Sequence, residues 1–383
     1  MLKILHTGDL HLGSPYTGLG AREREERITA EARDFCRLCE RANEEHVDLF
    51  LIAGDLFDTR SPSTATVNTV FDALEALNCP VVISPGNHDP YLPGSPYDTD
   101  ALPENVYVFS TESLDRFSFP EIGNGVDVFG YAFRSDTLEA SPLLTAPDNA
   151  CLGDGLSILL CHGDLDAPLS KYAPIRSADI ARCGADYVAL GHVHNVGDGV
   201  QIFGDSATAY CGFAFGRSFD ECGYGSFRLL TFDETAVTTH PLKASARIRC
   251  TDRRFASEEV DVSRCTSDEE TLTRLHAFIN HLGYGHETTL RITLTGEVSP
   301  QYRPSEALLT AQFCTEDSPV LVECTDRTLP IYDTDYLESD PTIRGELYRS
   351  LKVQMLSDSE ETRTTAAEAF RIALAALDGR PIL

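Results

Sequence analysis

The 383-residue sequence predicts an α/β fold that continues into a smaller α/β region and a helical tail, and three observations carry that expectation. Over residues 1 to about 243, short apolar runs of strand character alternate with longer amphipathic stretches. Five of the runs end in clusters of Gly, Asp, Asn and His. From 244 to about 335 strand-like and helical patterns persist without such clusters, and from 336 to 383 the apolar spacing becomes helical.

Taken in order, Ile4-Leu5, Leu49-Phe50-Leu51-Ile52, Val81-Val82-Ile83, Ile158-Leu159-Leu160 and Tyr187-Val188-Ala189-Leu190 are short enough and apolar enough for buried strands. Arg22 to Glu45 is charged with an internal apolar stripe, a helical pattern, and a second helix spans Pro62 to Leu77 with Ser61 as its N-cap and proline at its first position. The Pro-, Asp-, Ala- and Gly-rich stretch 135–155 is a loop. Strands follow at Arg247 to Cys250, Glu258 to Val262, Thr288 to Thr295 and Val320 to Cys324, with helices at Ser267 to Leu282 and Ser305 to Gln312. In the tail, Ile343, Leu347, Leu351 and Met355 form one stripe. Ala366, Phe370, Ala373 or Leu374, and Leu377 form another, with a capping box at Ser357 and Glu360 and a stop at Gly379 and Pro381. A helical hairpin with an apolar face docks on its own domain or on a partner.

The clusters carry the chemistry. They are Gly8-Asp9-Leu10-His11, Gly54-Asp55-Leu56-Phe57-Asp58, Gly86-Asn87-His88-Asp89, His162-Gly163-Asp164 and Gly191-His192-Val193-His194. Each falls beyond the C-terminal end of a predicted strand, where open α/β sheets place their sites. Asp, Asn and His without cysteine suit Mn²⁺, Mg²⁺, Fe²⁺ or Zn²⁺, and the candidates exceed what one ion needs, so two divalent ions are the natural count. A pair of ions clamps the attacking and leaving oxygens of an in-line phosphoryl displacement, which points to phosphoester hydrolysis. A lone Asp-x-His carries little weight because both residues are common in turns; the force lies in five clusters in order.

That ordered set resembles the calcineurin-like metallophosphoesterase superfamily. The resemblance implies a two-sheet sandwich flanked by helices, with Asp9, His11 and His194 holding one metal, Asn87, His162 and His192 the other, and Asp55 bridging both. His88 is implied as the general acid that protonates the leaving oxygen, a task suited to an imidazole titrating near neutral pH. Gly-Asp-Leu-Phe-Asp-Thr-Arg, together with Tyr210-Cys211-Gly212 and the segment Gly216 to Gly223, is similar to the SbcD-type DNA repair nucleases and their YhaO-like relatives, Cys211 standing where a proline is usual. Within that group the resemblance implies Mn²⁺ as the preferred ion, DNA exonuclease or endonuclease activity, a small cap domain over 244–335 and, in members that dimerise, a homodimer. It also implies that the C-terminal helices over 336–383 grip an SbcC-type, SMC-like ATPase.

Composition sets limits on these expectations. No run approaches the ~18 apolar residues of a membrane span, and no apolar segment follows a basic start, so a cytoplasmic protein without a membrane partner is expected. Twelve cysteines without a secretion signal are expected as free thiols, and Cys36-x-x-Cys39 as core packing rather than a zinc site. The net charge of -29 opposes approach to a polyanion, although all but four of the 31 basic residues are arginine, the side chain suited to bidentate phosphate contact. Two alternatives therefore stand beside a DNA nuclease: a phosphodiesterase for a small nucleotide, and a non-catalytic subunit that regulates an ATPase.

Overall fold

The computed structural model describes residues 1–16, 21–233, 241–312, 319–377 and 379. The chain divides into two compact units, Met1–Arg217 with Gly223–Asp252, and Ser218–Cys222 with Arg253–Leu383.

In the first unit the chain runs β1 (Leu2–Thr7), α1 (Ala21–Glu44), β2 (Leu49–Ile52), α2 (Thr64–Glu75), β3 (Val81–Ile83), β4 (Val106–Val108), β5 (Asp115–Phe119) and β6 (Val126–Gly130). It continues with β7 (Leu156–His162), α3 (Ser177–Cys183), β8 (Tyr187–Gly191), β9 (Gln201–Phe203), β10 (Ser206–Tyr210), β11 (Gly223–Phe232) and the first half of β12 (Leu242–Asp261). Two sheets result. One has the order β12-β11-β1-β2-β3-β4 and the other β5-β6-β7-β8-β10-β9. The strands that precede the polar clusters are parallel to one another within each sheet, as β1, β2 and β3 are, and as β7 and β8 are.

Strand periodicity explains the layering. Leu49 and Leu51 of β2 turn into the inner core with Ile4, Val82, Val128, Ile158, Leu160 and Ala189. Their neighbours Phe50 and Ile52 turn outward against Phe35 and Leu38 of α1 and Val70, Phe71 and Leu74 of α2. Alternate residues of the second sheet, Phe129, Leu159 and Val188, face Ile180 of α3. The result is the helix-flanked two-sheet sandwich of the sequence expectation. Cys39 is buried in the α1 face of that core with Cys36 packed against it, and the described cysteines are free thiols.

The cap of α2 lies two residues later than the sequence suggested. Ser63, not Ser61, holds φ −63 and ψ 145, and its Oγ accepts from Thr66 N at 3.1 Å. The Thr66 hydroxyl closes back on Ser63 Oγ at 2.8 Å, a reciprocal partner that Ser61 lacks, so Pro62 precedes the cap.

The second unit takes the rest of β12, then α4 (Asp268–Leu282), β13 (Thr288–Thr295), β14 (Glu297–Val298), α5 (Glu306–Gln312), β15 (Val320–Asp326), β16 (Leu329–Pro330), α6 (Thr334–Ser339), α7 (Ile343–Met355) and α8 (Glu360–Leu377). The strands expected at Arg247 to Cys250 and Glu258 to Val262 are not separate but fall in β12, which ends at Asp261 and whose residues 254–261 stay extended by pairing in parallel with 288–295. Val260, Leu290, Ile292 and Leu294 pack on Leu275, Ile279 and Leu309. The tail packs on itself, with Phe370 and Leu374 meeting Leu337, Leu347, Tyr348, Leu351 and Met355. Its α8 is capped by Ser359, which accepts from Thr362 N at 3.3 Å, while Ser357 bonds Ser359 N instead. Pro381 lies outside the described residues. Ile343, Val353 and Leu356 remain exposed. No described helix is long and apolar enough to cross a membrane.

Candidate metal centre

Five loops leave the C-terminal ends of β1, β2, β3, β7 and β8 and meet. Those after β1 and β2 are zipped by their main chains, with Asp9 N donating to Gly54 O at 3.0 Å, and Leu10 N and His11 N to Asp55 O at 2.9 Å. Asp9, His11 and Asp55 in these loops take the left-handed φ values 48, 47 and 51, and His192 after β8 takes 103. A left-handed residue other than glycine costs about 1 kcal/mol or more, strain that tertiary contacts hold and that gathers at functional sites. Gly54, at φ +85, also has no room for a side chain, because a Cβ would stand 2.4 Å from His162 Nδ1.

The eight predicted site residues come together. Ligating atoms of Asp9, His11 and His194 lie within 4.8 Å of one another, as do those of Asp9, Asp55 and His162. His11 Nε2 is 3.2 Å from His194 Nε2. On the other side His162 Nε2 is 3.0 Å from Asn87 Oδ1 and 3.2 Å from His192 Nδ1. Asp55 Oδ2 stands between the two groups, 3.6 Å from His11 Nε2 and 3.5 Å from His162 Nε2. His88 sits at the rim with its ring 4.7 Å from that of His11, and its main-chain N–H donates to Asp55 Oδ1 at 3.0 Å.

Hydrogen bonds aim the imidazoles. His162 Nδ1 must donate to the Ala53 carbonyl at 2.9 Å, which leaves the Nε2 lone pair facing Asn87 and Asp55. The Nδ1 of His11 is tied to Asp58 Oδ1 at 2.9 Å, leaving Nε2 toward His194. His192 turns Nε2 to Asp164 Oδ2 at 3.5 Å and Nδ1 to His162. Imidazole lone pairs at hydrogen-bond distance from one another, beside the buried carboxylates of Asp9 and Asp55, form an electrostatically unfavourable cluster that divalent cations would relieve. The N,O donor set, with a carboxylate or carbonyl behind the rings of His11, His162 and His192 and the Arg217 guanidinium 3.4 Å from His194 Nδ1, fits such ions.

The family model for calcineurin-like phosphoesterases matches residues 2–196, the segment that carries all eight of these residues. The chain belongs to this family. Among curated relatives of this phosphoesterase, the uncharacterized metallophosphoesterase YhaO of Bacillus subtilis is 30% identical over 206 residues, covering 50% of this chain and 48% of that protein. The DNA double-strand break repair protein Mre11 of Saccharolobus solfataricus is 30% identical over 202 residues (51% and 50%), and that of Aeropyrum pernix 30% over 216 residues (51% and 49%). The chain spans about half the length of the curated relatives it matches.

Electrostatics in the phosphoesterase site follow from burial. Desolvation holds His11, His162 and His192 below the ordinary imidazole range, keeping lone pairs free for a metal. Burial raises Asp9. It would raise Asp55 as well, but His162, His11 and His88 hold that carboxyl down at about 2. Asp89 behaves in the opposite way, pushed up to about 7 by burial and by the Asp55 charge.

Sequence reasoning missed the residues behind the ligands. Asp89 accepts from Asp55 N, Gly86 N, Phe57 N and the Tyr97 hydroxyl at 2.5 to 3.2 Å, tying the loops after β2 and β3 together. Asp58 is pinned by Arg217 Nη1, which donates at 2.9 Å to Oδ1, the same oxygen that His11 meets. Cys211 Sγ donates to Asp9 Oδ2 at 3.5 Å. Asp58, Asp89 and Arg217 stand in the motifs and were available to be read; Tyr97 carried no sequence signal.

Proposed function

We propose that this phosphoesterase is a two-metal phosphodiesterase that cleaves DNA. One observation carries the reading: two donor groups, Asp9, His11 and His194 on one side and Asn87, His162 and His192 on the other, flank the single carboxylate of Asp55. Those residues would hold the ions, with Asp55 shared. Bound divalent ions, manganese in this proposal, supply Lewis acidity toward the phosphoryl oxygens and acidify a water nucleophile.

The chain's own groups do the rest. His88 Nδ1 donates to Asp58 O at 3.2 Å, which fixes the ring and turns Nε2 outward. A doubly protonated His88 has Asp58 Oδ1 at 3.6 Å as counter-charge, and its Nε2 proton passes to the departing oxygen. The Asp58 bond keeps the His11 ring oriented throughout.

The DNA substrate is supported by the likeness to the Mre11 repair proteins and by the second cluster, Gly-Asp-Leu-Phe-Asp. In this reading residues 1–243 are the nuclease domain of a cytoplasmic enzyme, 244–335 a cap, and 336–383 a hairpin whose exposed Ile343, Val353 and Leu356 meet an SMC-like ATPase. A second reading, hydrolysis of a small nucleotide diester, is favoured by the net charge of -29. Incubating the full chain and Mn²⁺ with end-labelled duplex DNA, single-stranded DNA and a cyclic dinucleotide separates them. DNA cleavage is expected, and turnover of the small diester alone would overturn the proposal.

A further inference from the structure

The segment 194–198, which begins at the last histidine of the site, has no regular secondary structure, yet four of its carbonyl oxygens accept hydrogen bonds from elsewhere in the chain. Phe213 N donates to His194 O at 3.3 Å. Arg247 of β12 donates from Nη1 to Val196 O at 3.0 Å. Arg228 of β11 donates from Nη2 to Gly197 O and from Nη1 to Asp198 O, both at 3.0 Å. The arginines are themselves fixed, Arg228 by Tyr210 O at 2.6 Å and Ser245 Oγ at 3.3 Å, and Arg247 by Ser226 Oγ at 2.7 Å and Asp198 Oδ1 at 3.3 Å.

Arg228 is 1% exposed. Taking a guanidinium out of water costs several kcal/mol, so a cation in such a place calls for a compensating role. The hydrogen bonds named above send it almost wholly to main-chain carbonyls, which places its forked donors on the backbone of one loop. Gly212 closes in as well, since a Cβ there would lie 2.8 Å from Val196 Cγ2, 3.1 Å from His194 O and 3.3 Å from Arg247 Nη2.

We propose that Arg228 and Arg247 are positioning residues that clamp residues 196–198 and thereby hold His194 against Asp9 and His11. The clamp rests on the two-metal reading given above. It acts through the main chain that follows His194, whose ring also meets Arg217 Nη2 at 3.4 Å, whereas His192 is held by groups that the two arginines do not touch. Its N–H donates to both Asp9 oxygens at 3.0 Å, and its ring is set between Asp164, His162 and Tyr172. Losing the clamp therefore loosens one donor set and leaves the Asn87, His162 and His192 set in place.

Manganese binding to the full chain tests this by calorimetric titration and by electron paramagnetic resonance, without any assay of turnover. In Arg247→Met and Arg228→Met, one of two ions should bind about 10- to 100-fold more weakly, the usual cost of removing a group behind a ligand, while the other keeps the parent affinity. The exchange-coupled two-ion spectrum should give way to that of a single ion. Arg228→Lys, which keeps the charge but not the fork, should fall between. Two ions bound at parent affinity in both Met variants would overturn the clamp, and so would an equal weakening of both ions, which signals general loss of packing. Arg247 has a partly exposed side chain, so if Arg228→Met does not fold, Arg247→Met decides alone. A parent chain that binds no manganese refutes the two-metal reading and the clamp with it, whereas a two-ion parent with unaltered variants refutes the clamp only.

Discussion

His88 and its neighbour Asn87 share one loop but face different tasks, and the difference is one of solvent. Asn87 points at the buried His162, whereas the His88 side chain is 44% exposed with one nitrogen anchored on Asp58 O. A group so placed can exchange protons with water. His88→Ala should therefore retain two bound manganese ions while turnover falls about 10²- to 10⁴-fold, the usual worth of a general acid. Metal analysis beside a rate measurement decides it, and loss of an ion along with the rate would make His88 a ligand. His6 shows the same ring in the opposite setting. Buried in β1 with Nδ1 3.0 Å from the Tyr187 hydroxyl, it is held down at about 3 by desolvation and then by the Arg228 charge. The unfolded chain takes up this proton near pH 6.5 and the folded one only near 3, so below about 6.5 the unfolded state binds more protons and stability falls as pH falls. The slope from one such site is about 1.4 kcal/mol per pH unit, or about 2 kcal/mol between pH 6.5 and 5. His6→Gln, which keeps a partner for Tyr187, should flatten urea-unfolding stability over that interval by this amount. An unchanged slope would assign the acid sensitivity elsewhere.

Elements differ in how much of themselves they write into sequence. β2 and β3 run where their apolar runs run, because a strand buried on both faces has no polar residue to blur its ends, and β13 runs where Leu290, Ile292 and Leu294 alternate with polar residues. The mixed Asp115 to Phe119 and the brief Gln201 to Phe203 carry no such mark, and they become β5 and β9 only because a neighbouring strand offers hydrogen bonds. β12 is one long strand for the same reason. The candidate site was legible at the short motifs, each of which sits within a single loop. It was illegible at Tyr97, which stands outside the motifs although its partner Asp89 is near in the chain, and at Arg228 and Arg247, whose hydrogen bonds join segments far apart. Helical spacing in the tail was legible as well, and its packing allows a test. Phe370 is 4% exposed, its ring 5.5 Å from that of Tyr348 and 6.5 Å from that of Tyr332, in a small cluster with few substitutes. Phe370→Ala should cost about 3 kcal/mol and raise amide exchange over residues 334–377, leaving β1 to β3 protected. Uniform loss of protection through the whole chain would show that the hairpin is not an independent packing unit.

At the scale of the whole molecule the surplus of 60 acidic over 31 basic residues acts as a field, not as a set of contacts. Like charges repel within the folded chain, and salt shortens the reach of that repulsion to about 10 Å at 0.1 M and about 3 Å at 1 M. Raising sodium chloride from about 0.02 M to 1 M should accordingly raise the melting temperature of the metal-loaded protein, the reverse of a fold held by surface ion pairs. The same field bears on DNA. A protein that neutralises six to ten phosphates loses about 10³- to 10⁵-fold in affinity between 50 and 200 mM salt, since each contact releases a counterion. Here screening also removes repulsion, which offsets part of that loss. Duplex binding by a manganese-loaded His88→Ala chain, followed by fluorescence anisotropy, should therefore weaken by less than about tenfold over that interval. A loss near the upper figure would mean that arginines concentrated on one face grip the backbone strongly enough to override the net charge, and the acidic surface would then cease to favour a small diester as substrate.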